Sequence, residues 1–193
     1  MKKYIGTLLA GISLMTVLPL AAQAADTTTS KDTTAEIELT QDETKKDITL
    51  DSAPDIDLGT NTNNLATQTY TANAVTGLAQ VTNPGNTDGW HVDVKGTSFT
   101  TSDSKSTLRG AALSLNSGQV EAEDSSNAST APTAQNVTVN SENQSILSAD
   151  AGEGIGVFTM THDKDNVSLN VPAGNAAGAY KSTLTWTLTN APS

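Results

Sequence analysis

Two histidines stand close to aspartates in the sequence, an arrangement that could support nucleophilic catalysis. His91 is two residues from Asp93, and His162 is followed by Asp163. A histidine oriented by a carboxylate can take the proton of a serine hydroxyl, and serine is abundant in this chain. The G-x-S-x-G sequence of a nucleophile elbow is nevertheless absent. We therefore interpret both histidines as solvent-facing residues and assign no catalytic residue.

Three other patterns suggest metal, nucleotide or glycan chemistry, but each is incomplete. Asp163–Asn166 resembles part of a calcium loop but lacks its glycine and distal glutamate, so we expect a polar turn. Gly152–Gly156 reads GEGIG, which is an incomplete nucleotide fingerprint with no predicted helix after it. Paired carboxylates such as Asp55 and Asp57 could hydrolyse a glycan, yet alternating acids are common on solvated strands. We therefore expect no metal site, no cofactor and no enzymatic activity.

The two tryptophans allow a binding chemistry, because an exposed indole can stack on a sugar ring. In Trp90–Lys95 apolar residues alternate with polar ones, and in Tyr180–Thr189 most even positions are large and apolar. A strand turns alternate residues to opposite faces, so one face of each segment is predicted to be buried. The pattern favours a core role over ligand contact and predicts that Leu184, Trp186 and Leu188 are mostly buried.

Composition and charge limit the kind of protein this can be. The chain has 193 residues, with 10 Lys and Arg against 21 Asp and Glu, and a formal net charge of −11. That length suits one domain. No basic cluster is present to neutralise a phosphate backbone, so we expect no nucleic-acid partner. The absence of cysteine excludes disulfides, thiolate metal sites and a lipoprotein anchor.

Residues 1–24 have the organisation of a secretory signal peptide. Two lysines precede an apolar run over residues 5–20, and an A-x-A cleavage site ends at Ala24. We expect cleavage there, which leaves a secreted protein that is not embedded in the membrane. Residues 25–35 are polar and lack periodicity, so they are predicted to form a disordered acidic tether. Residues 36–193 would then form the folded domain.

Short alternating segments recur through the predicted domain and indicate an all-β fold. Clusters of glycine, proline and asparagine separate them, as in antiparallel sandwiches. Thr97–Thr107 and Glu121–Gln135 are long polar stretches, and we expect the second to be a mobile surface loop. We therefore predict an antiparallel β-sandwich or barrel-like single domain with long polar loops. The predicted strands are Glu36–Thr40, Asp47–Leu50, Asp55–Leu58, Leu78–Thr82, Trp90–Lys95, Ala111–Leu115, Asn136–Asn140, Ile155–Met160, Val167–Val171 and Tyr180–Thr189.

Several of these segments resemble the WxL domain of Gram-positive surface proteins. The first motif is Trp90-His91-Val92, in which valine stands where the family name has leucine. The second is Trp186-Thr187-Leu188, and the same C-terminal segment carries Tyr180, Leu184 and Pro192. The resemblance covers nearly all of the predicted mature chain, because similar stretches also occur at Ile48–Pro54, Gly152–Phe158 and Val167–Gly174.

The resemblance implies a secreted protein that attaches non-covalently to the cell wall at the cell surface. The expected wall ligand is peptidoglycan, and the expected role is that of a structural or adhesive module. Expected partners are other WxL proteins and membrane-anchored WxL-interacting proteins. An alternative is a protein–protein assembly module that these partners hold at the surface. The residues that would carry wall binding, or only hold the fold, are Trp90, Val92, Tyr180, Leu184, Trp186 and Leu188.

Overall fold

Strands form where the chain alternates apolar and polar residues between turn-forming segments. The computed structural model describes residues 29–190, so the predicted signal peptide over residues 1–24 and part of the predicted tether lie outside the described residues. Within residues 29–190, all regular structure is β-strand except one 3-10 turn at Lys164–Asn166. In chain order the strands are β1 (Thr49–Ser52), β2 (Asp55–Asp57), β3 (Gln68–Thr71), β4 (Ala74–Thr76), β5 (Ala79–Asn83), β6 (Trp90–Gly96), β7 (Thr100–Thr101), β8 (Ala112–Leu115), β9 (Gln119–Ala122), β10 (Thr133–Ala134), β11 (Val137–Val139), β12 (Gln144–Ala149), β13 (Gly156–Thr161), β14 (Val167–Val171), β15 (Tyr180–Lys181) and β16 (Leu184–Thr189).

All strand pairs are antiparallel. Three sheets have four strands each, in the orders β1-β5-β13-β9, β10-β12-β6-β16 and β11-β8-β14-β3. Two small sheets pair β15 with β7 and β2 with β4. No sheet closes on itself in the described part of the chain. The domain is therefore all-β and sandwich-like, which confirms the predicted fold class.

β6 lies at the centre of the core. It is placed between β12 and β16, and Trp90, Val92 and Val94 on one of its faces have no exposed surface. β12 adds Ile146 and Leu147, which are also 0% exposed. Burial of such side chains stabilises the fold by about 25 cal/mol per Å² of apolar surface. All three large sheets contribute further buried apolar residues: Ala79, Val81, Leu113, Leu115, Val137, Ala149, Phe158, Met160, Val167 and Leu169.

The strands all belong to one compact unit that begins at Leu39, whereas residues 29–38 belong to a separate unit and are exposed. The predicted strand at Glu36–Thr40 is wrong. Among residues 29–190 this segment pairs with no strand, and Ile37 and Leu39 are each 86% exposed. Its alternation is typical of a strand, but no sheet edge in the described chain takes it up.

β12 is a long buried strand that the sequence analysis missed, and a β-bulge explains why. Its pairing with β6 shifts register between Ser145 and Leu147. An extra residue at a bulge lets neighbouring side chains turn to the same side of the strand. Ile146 and Leu147 are accordingly both in the core. Two adjacent buried residues break the alternation on which strand prediction depends.

Both long polar stretches contain strand residues, and the second is more ordered than expected. β7 lies within Thr97–Thr107, and β10 and the last two residues of β9 lie within Glu121–Gln135. In the second stretch, Asn127 Nδ2 donates a hydrogen bond of 3.0 Å to the Ile155 carbonyl, and Ser129 Oγ accepts one of 3.0 Å from Ile155 N. The expected mobile loop is thus tied to the segment before β13 by its own polar side chains.

Candidate functional site

The two tryptophan motifs lie side by side in one sheet. β6 carries the first motif and β16 the second, and the strands pair with Trp186 opposite Val94 and Leu188 opposite Val92. Because strand residues alternate between faces, Trp90 and these four side chains share one face of the sheet. The structure therefore brings the predicted motif residues of both strands together.

Trp90 is sealed within the core. It has no exposed surface, and its Nε1 donates a hydrogen bond of 3.3 Å to the Gly154 carbonyl. Gly154 has φ +62°, and a Cβ there would lie 2.7 Å from Ala149 Cβ and 2.8 Å from Trp90 Cζ2. Only glycine permits so close an approach. The GEGIG motif therefore closes over the indole, and Trp90 offers no surface to a ligand.

Trp186 differs because β16 is an edge strand. β16 pairs with β6 on one side and with no other strand of the described chain. Leu184, Trp186 and Leu188 pack against the core but keep part of their surface open. These three side chains contact the core as predicted. Their partial exposure to solvent was not predicted.

A groove opens beside the second motif. One wall is the segment Ala53–Gly59, which includes β2, and the other is Tyr180–Leu184 together with Trp186. Phe99 and Leu113 complete the lining, and the cavity has a volume of about 520 Å³. Ligand-binding clefts in proteins have volumes of about 300–1,000 Å³, so the groove is large enough for a ligand.

A smaller hollow of about 200 Å³ adjoins the groove and shares Leu58, Gly59, Phe99 and Tyr180 with it. The aromatic side chains of the described chain divide between these openings and the core. Trp90 and Phe158 are 0% and 1% exposed. All the others between residues 29 and 190 line the groove or the hollow: Tyr70, Phe99, Tyr180 and Trp186. Partly open aromatic side chains gathered in one place give a large apolar contact area.

The polar side chains of the hollow are already bonded to the protein. Asn175 Oδ1 accepts a hydrogen bond of 2.7 Å from Arg109 N, and its Nδ2 donates one of 2.9 Å to the Pro172 carbonyl. The Tyr180 hydroxyl donates to the Ala176 carbonyl at 2.9 Å. Donors to other backbone carbonyls are Asn61, Asn63 and Tyr70. These side chains hold loops in place, and each has at least one of its hydrogen-bonding groups engaged by the protein.

Charged side chains stand on both walls of the groove. Asp55 and Asp57 lie on one wall and Lys181 on the other, and all three are exposed. Asp57 accepts hydrogen bonds from Asn73 Nδ2 at 2.9 Å and Gly59 N at 2.8 Å, and these bonds lower its pKa. The side chains of Asp55 and Lys181 form no hydrogen bond or ion pair with any residue from 29 to 190. Both are therefore available to a ligand.

The histidines are not the solvent-facing residues that the sequence suggested. His162 is 7% exposed, its Nε2 has no hydrogen-bond partner in the described part of the chain, and burial lowers its pKa. The His91 side chain is 17% exposed, with Nε2 3.7 Å from Asp93 Oδ2. β12 places Ser148 directly opposite His91. None of these residues lines the groove.

The remaining polar motif forms a turn. Asp163–Asn166 includes the 3-10 turn, where Asp163 Oδ1 accepts a hydrogen bond of 2.8 Å from Asp165 N, which confirms the predicted polar turn.

Over residues 29–190 there is no group of three or more side chains of the kinds that ligate metals. Over the same range no helix has the length and apolar character needed to cross a membrane.

A comparison with protein-family models identifies the family. The model described as a WxL domain, surface cell wall-binding, matches residues 19–192. The chain belongs to the WxL family. Its WxL domain is thus a cell-wall-binding domain of the cell surface, and the resemblance seen in the two motifs is confirmed. No curated protein and no solved structure matches the chain.

Proposed function

We propose that this WxL domain attaches non-covalently to peptidoglycan through the groove, as a structural or adhesive module without catalytic activity. The family is one of surface domains that bind the cell wall. The observation that supports the groove is the segregation of the aromatic side chains, since Trp186 and Tyr180 border it while Trp90 is sealed. Open aromatic rings provide apolar contact to sugars and peptides alike.

In this proposal net charge does not drive attachment. The chain has a formal charge of −11, and wall polymers are commonly anionic as well, so long-range electrostatics oppose binding. Salt limits the reach of this repulsion to about 8 Å under physiological conditions. Attachment then depends on apolar contact and hydrogen bonding inside the groove.

The proposal includes secretion as the route to the surface. Residues 1–24 combine a positively charged start, an apolar run and an A-x-A site, which are the features of a cleaved signal peptide. N-terminal sequencing of the exported protein would test this step, and we expect Ala25 as the first residue. An exported chain that begins at Met1 would contradict cleavage.

Sedimentation with purified sacculi tests wall attachment through the groove. Ala53 is exposed on the groove wall, so Ala53→Trp would fill the groove and leave the core unchanged. Ala151→Trp is a matched control, because Ala151 is exposed in a turn outside the groove. We expect Ala53→Trp to lose affinity by about tenfold or more, or about 1.4 kcal/mol, and Ala151→Trp to bind like the wild type. Equal binding by two folded variants would place the wall contact elsewhere.

A second candidate function is assembly with other surface proteins, including other WxL proteins and WxL-interacting proteins. It is favoured by Ile37 and Leu39, which are 86% exposed in a segment that alternates like a strand. Such a segment can add to the sheet edge of another protein. The double variant Ile37→Asp/Leu39→Asp should lose partner capture while it still sediments with sacculi. Unchanged partner capture would remove this segment from the assembly surface.

A further inference from the structure

The groove is walled by strand edges, and this limits what can bind there. A strand viewed on its face would line a cavity with every second residue only, because successive side chains alternate. Here every residue of Ala53–Gly59 lines one wall, and every residue of Tyr180–Leu184 lines the other. Because consecutive residues of each segment border the groove, the backbone of each segment must border it as well.

Both walls have backbone groups to offer. β2 pairs only with β4, β15 only with β7, and β16 only with β6 within the described residues. A strand that is paired on one side leaves about half of its N–H and C=O groups without a strand partner. The Thr183 N–H and C=O are both bonded to Thr97 and are not among the open groups. An extended peptide placed between the walls can bond to the groups that remain open, as in β-strand addition.

The available charges fit a ligand with both an amine and a carboxylate. Asp55 stands on one wall and Lys181 on the other, both exposed and without an ion pair in residues 29–190. An ammonium group of the ligand would pair with Asp55, and a carboxylate would pair with Lys181. A neutral sugar could hydrogen-bond to both side chains but would neutralise neither charge.

Several neutral polar side chains that could recognise sugar hydroxyls already have a partner in the protein. Asn175 and Tyr180 in the hollow are bonded to the protein backbone, and Ser182 Oγ in the groove donates to the Thr97 carbonyl at 2.6 Å. Recognition of a sugar needs side-chain donors and acceptors that are free to reach its hydroxyls. The groups left for a ligand in the groove are the Thr183 hydroxyl, the strand edges and the charged side chains. The strand edges and the charges together suit amides, amines and carboxylates.

We infer that the groove binds the peptide part of peptidoglycan, extended between β2 and the β15–β16 segment, and does not bind its glycan strand. The inference rests on the proposed function and specifies its ligand. The short peptides of peptidoglycan contain several amides, free carboxylates and, where the diamino residue is not cross-linked, a free amine. Phe99, Leu113 and Trp186 supply apolar surface for the small aliphatic side chains of such a peptide.

Competition against sacculi separates the peptide from the glycan. Two soluble probes can be prepared from one wall: the free lysine-containing stem peptide, and glycan strands from which an amidase has removed all peptides. We expect the stem peptide to displace the full chain from sacculi and the glycan strands to leave it bound. Displacement by the glycan strands alone would overturn the inference while wall attachment stands. Failure to sediment with intact sacculi would instead overturn the proposed function.

Charge variants test the contact directly in isothermal titration calorimetry with the stem peptide. Lys181→Glu and Asp55→Lys reverse the charge on each wall of the groove. Lys105→Glu and Asp88→Lys reverse exposed charges outside it and serve as controls. We expect each groove variant to weaken binding by about two- to fivefold, the effect of an exposed ion pair, and the controls to bind like the wild type. Identical affinities for all four variants would overturn the inference.

A third probe distinguishes the wall peptide from a segment of a partner protein. It is a peptide of ordinary L-residues with the length and charge of the stem peptide, which itself contains D-residues. Weaker binding of this all-L peptide supports the wall peptide as the ligand. Equal or tighter binding would overturn the inference and identify the groove as a site for protein segments.

Discussion

Trp90 and Trp186 lie on neighbouring strands of one sheet, in motifs of equal spacing, but in opposite environments. Trp90 is on an inner strand, is 0% exposed and is capped by Gly154. Trp186 is on an edge strand and borders the groove with part of its surface open. Motif spacing decides which face of the sheet a tryptophan occupies. The place of its strand in the sheet decides how much of that face is covered.

Trp90→Ala should have the largest effect on stability. It removes the largest fully buried side chain, and truncation of a buried aromatic residue costs about 3–5 kcal/mol. Small domains unfold with a total free energy of about 5–15 kcal/mol, so the variant should be partly or wholly unfolded. Urea unfolding followed by circular dichroism measures this. A loss no larger than that of Trp186→Ala would contradict the division between sealed and open tryptophans.

Gly154→Ala should have the next largest effect, and Gly152→Ala is its matched control. Both glycines have positive φ, +62° and +83°, so both alanine variants carry backbone strain of about 1–2 kcal/mol. Only at Gly154 would the new Cβ also meet Trp90, since nothing lies within 4 Å of a Cβ at Gly152. We expect Gly154→Ala to lower the free energy of unfolding by about 1–3 kcal/mol more than the control. Equal losses would show that the loop does not clamp the indole.

Trp186→Ala should cost less stability and more binding. Its side chain is only partly buried, so we expect a loss of about 1–2 kcal/mol in unfolding free energy. Because Trp186 lines the groove, affinity for sacculi should fall by about tenfold. Leu188→Ala is the matched control, since Leu188 lies on the same strand and face, is also partly buried and lies outside the groove. If both folded variants lost binding equally, Trp186 would have no special role in contact.

Alternation was sufficient to predict β6 and to place β16 within Tyr180–Thr189, because each strand turns one apolar face to the core. It did not show the break at residues 182–183 that separates β15 from β16. It could not show which of the two tryptophans is open, since that depends on whether a further strand pairs beside each of them. It also could not find β12, where the bulge at Ser145–Leu147 puts adjacent residues into the core. Strand existence is thus a local property of the sequence, while exposure is decided by distant segments.

The candidate site was predicted only in part. Tyr180, Leu184 and Trp186 are motif residues that line the groove, but Trp90 and Val92 are sealed and Leu188 lies outside the lining. The opposite wall, Ala53–Gly59, is more than a hundred residues away in sequence. The alternation of Asp55 and Asp57 with apolar residues in this segment does indicate a solvent-exposed strand. Nothing local in the sequence indicated that this strand would face the second motif across a groove.

His162 should give the smallest effect, and its sign follows from burial. The side chain is 7% exposed, Nε2 has no hydrogen-bond partner among residues 29–190, and burial lowers its pKa below the ordinary value of 6.5. The unfolded chain therefore takes up this proton at a higher pH than the folded domain does. The free energy of unfolding should fall as pH drops below 6.5, until the folded histidine is itself protonated.

Urea midpoints between about pH 7.5 and about pH 5 measure this slope. His162→Leu should flatten it, because the titrating group is gone. Aspartates contribute at lower pH: although burial opposes it, hydrogen bonds from Thr82, Thr49 and Gln80 lower the pKa of Asp51 below 3.8. The stability that Asp51 contributes is therefore lost only as pH falls from 3.8 through its lower folded-state pKa. This is below the pH interval in which the urea midpoints report on His162. The same slope in His162→Leu as in the wild type would show that another group is responsible.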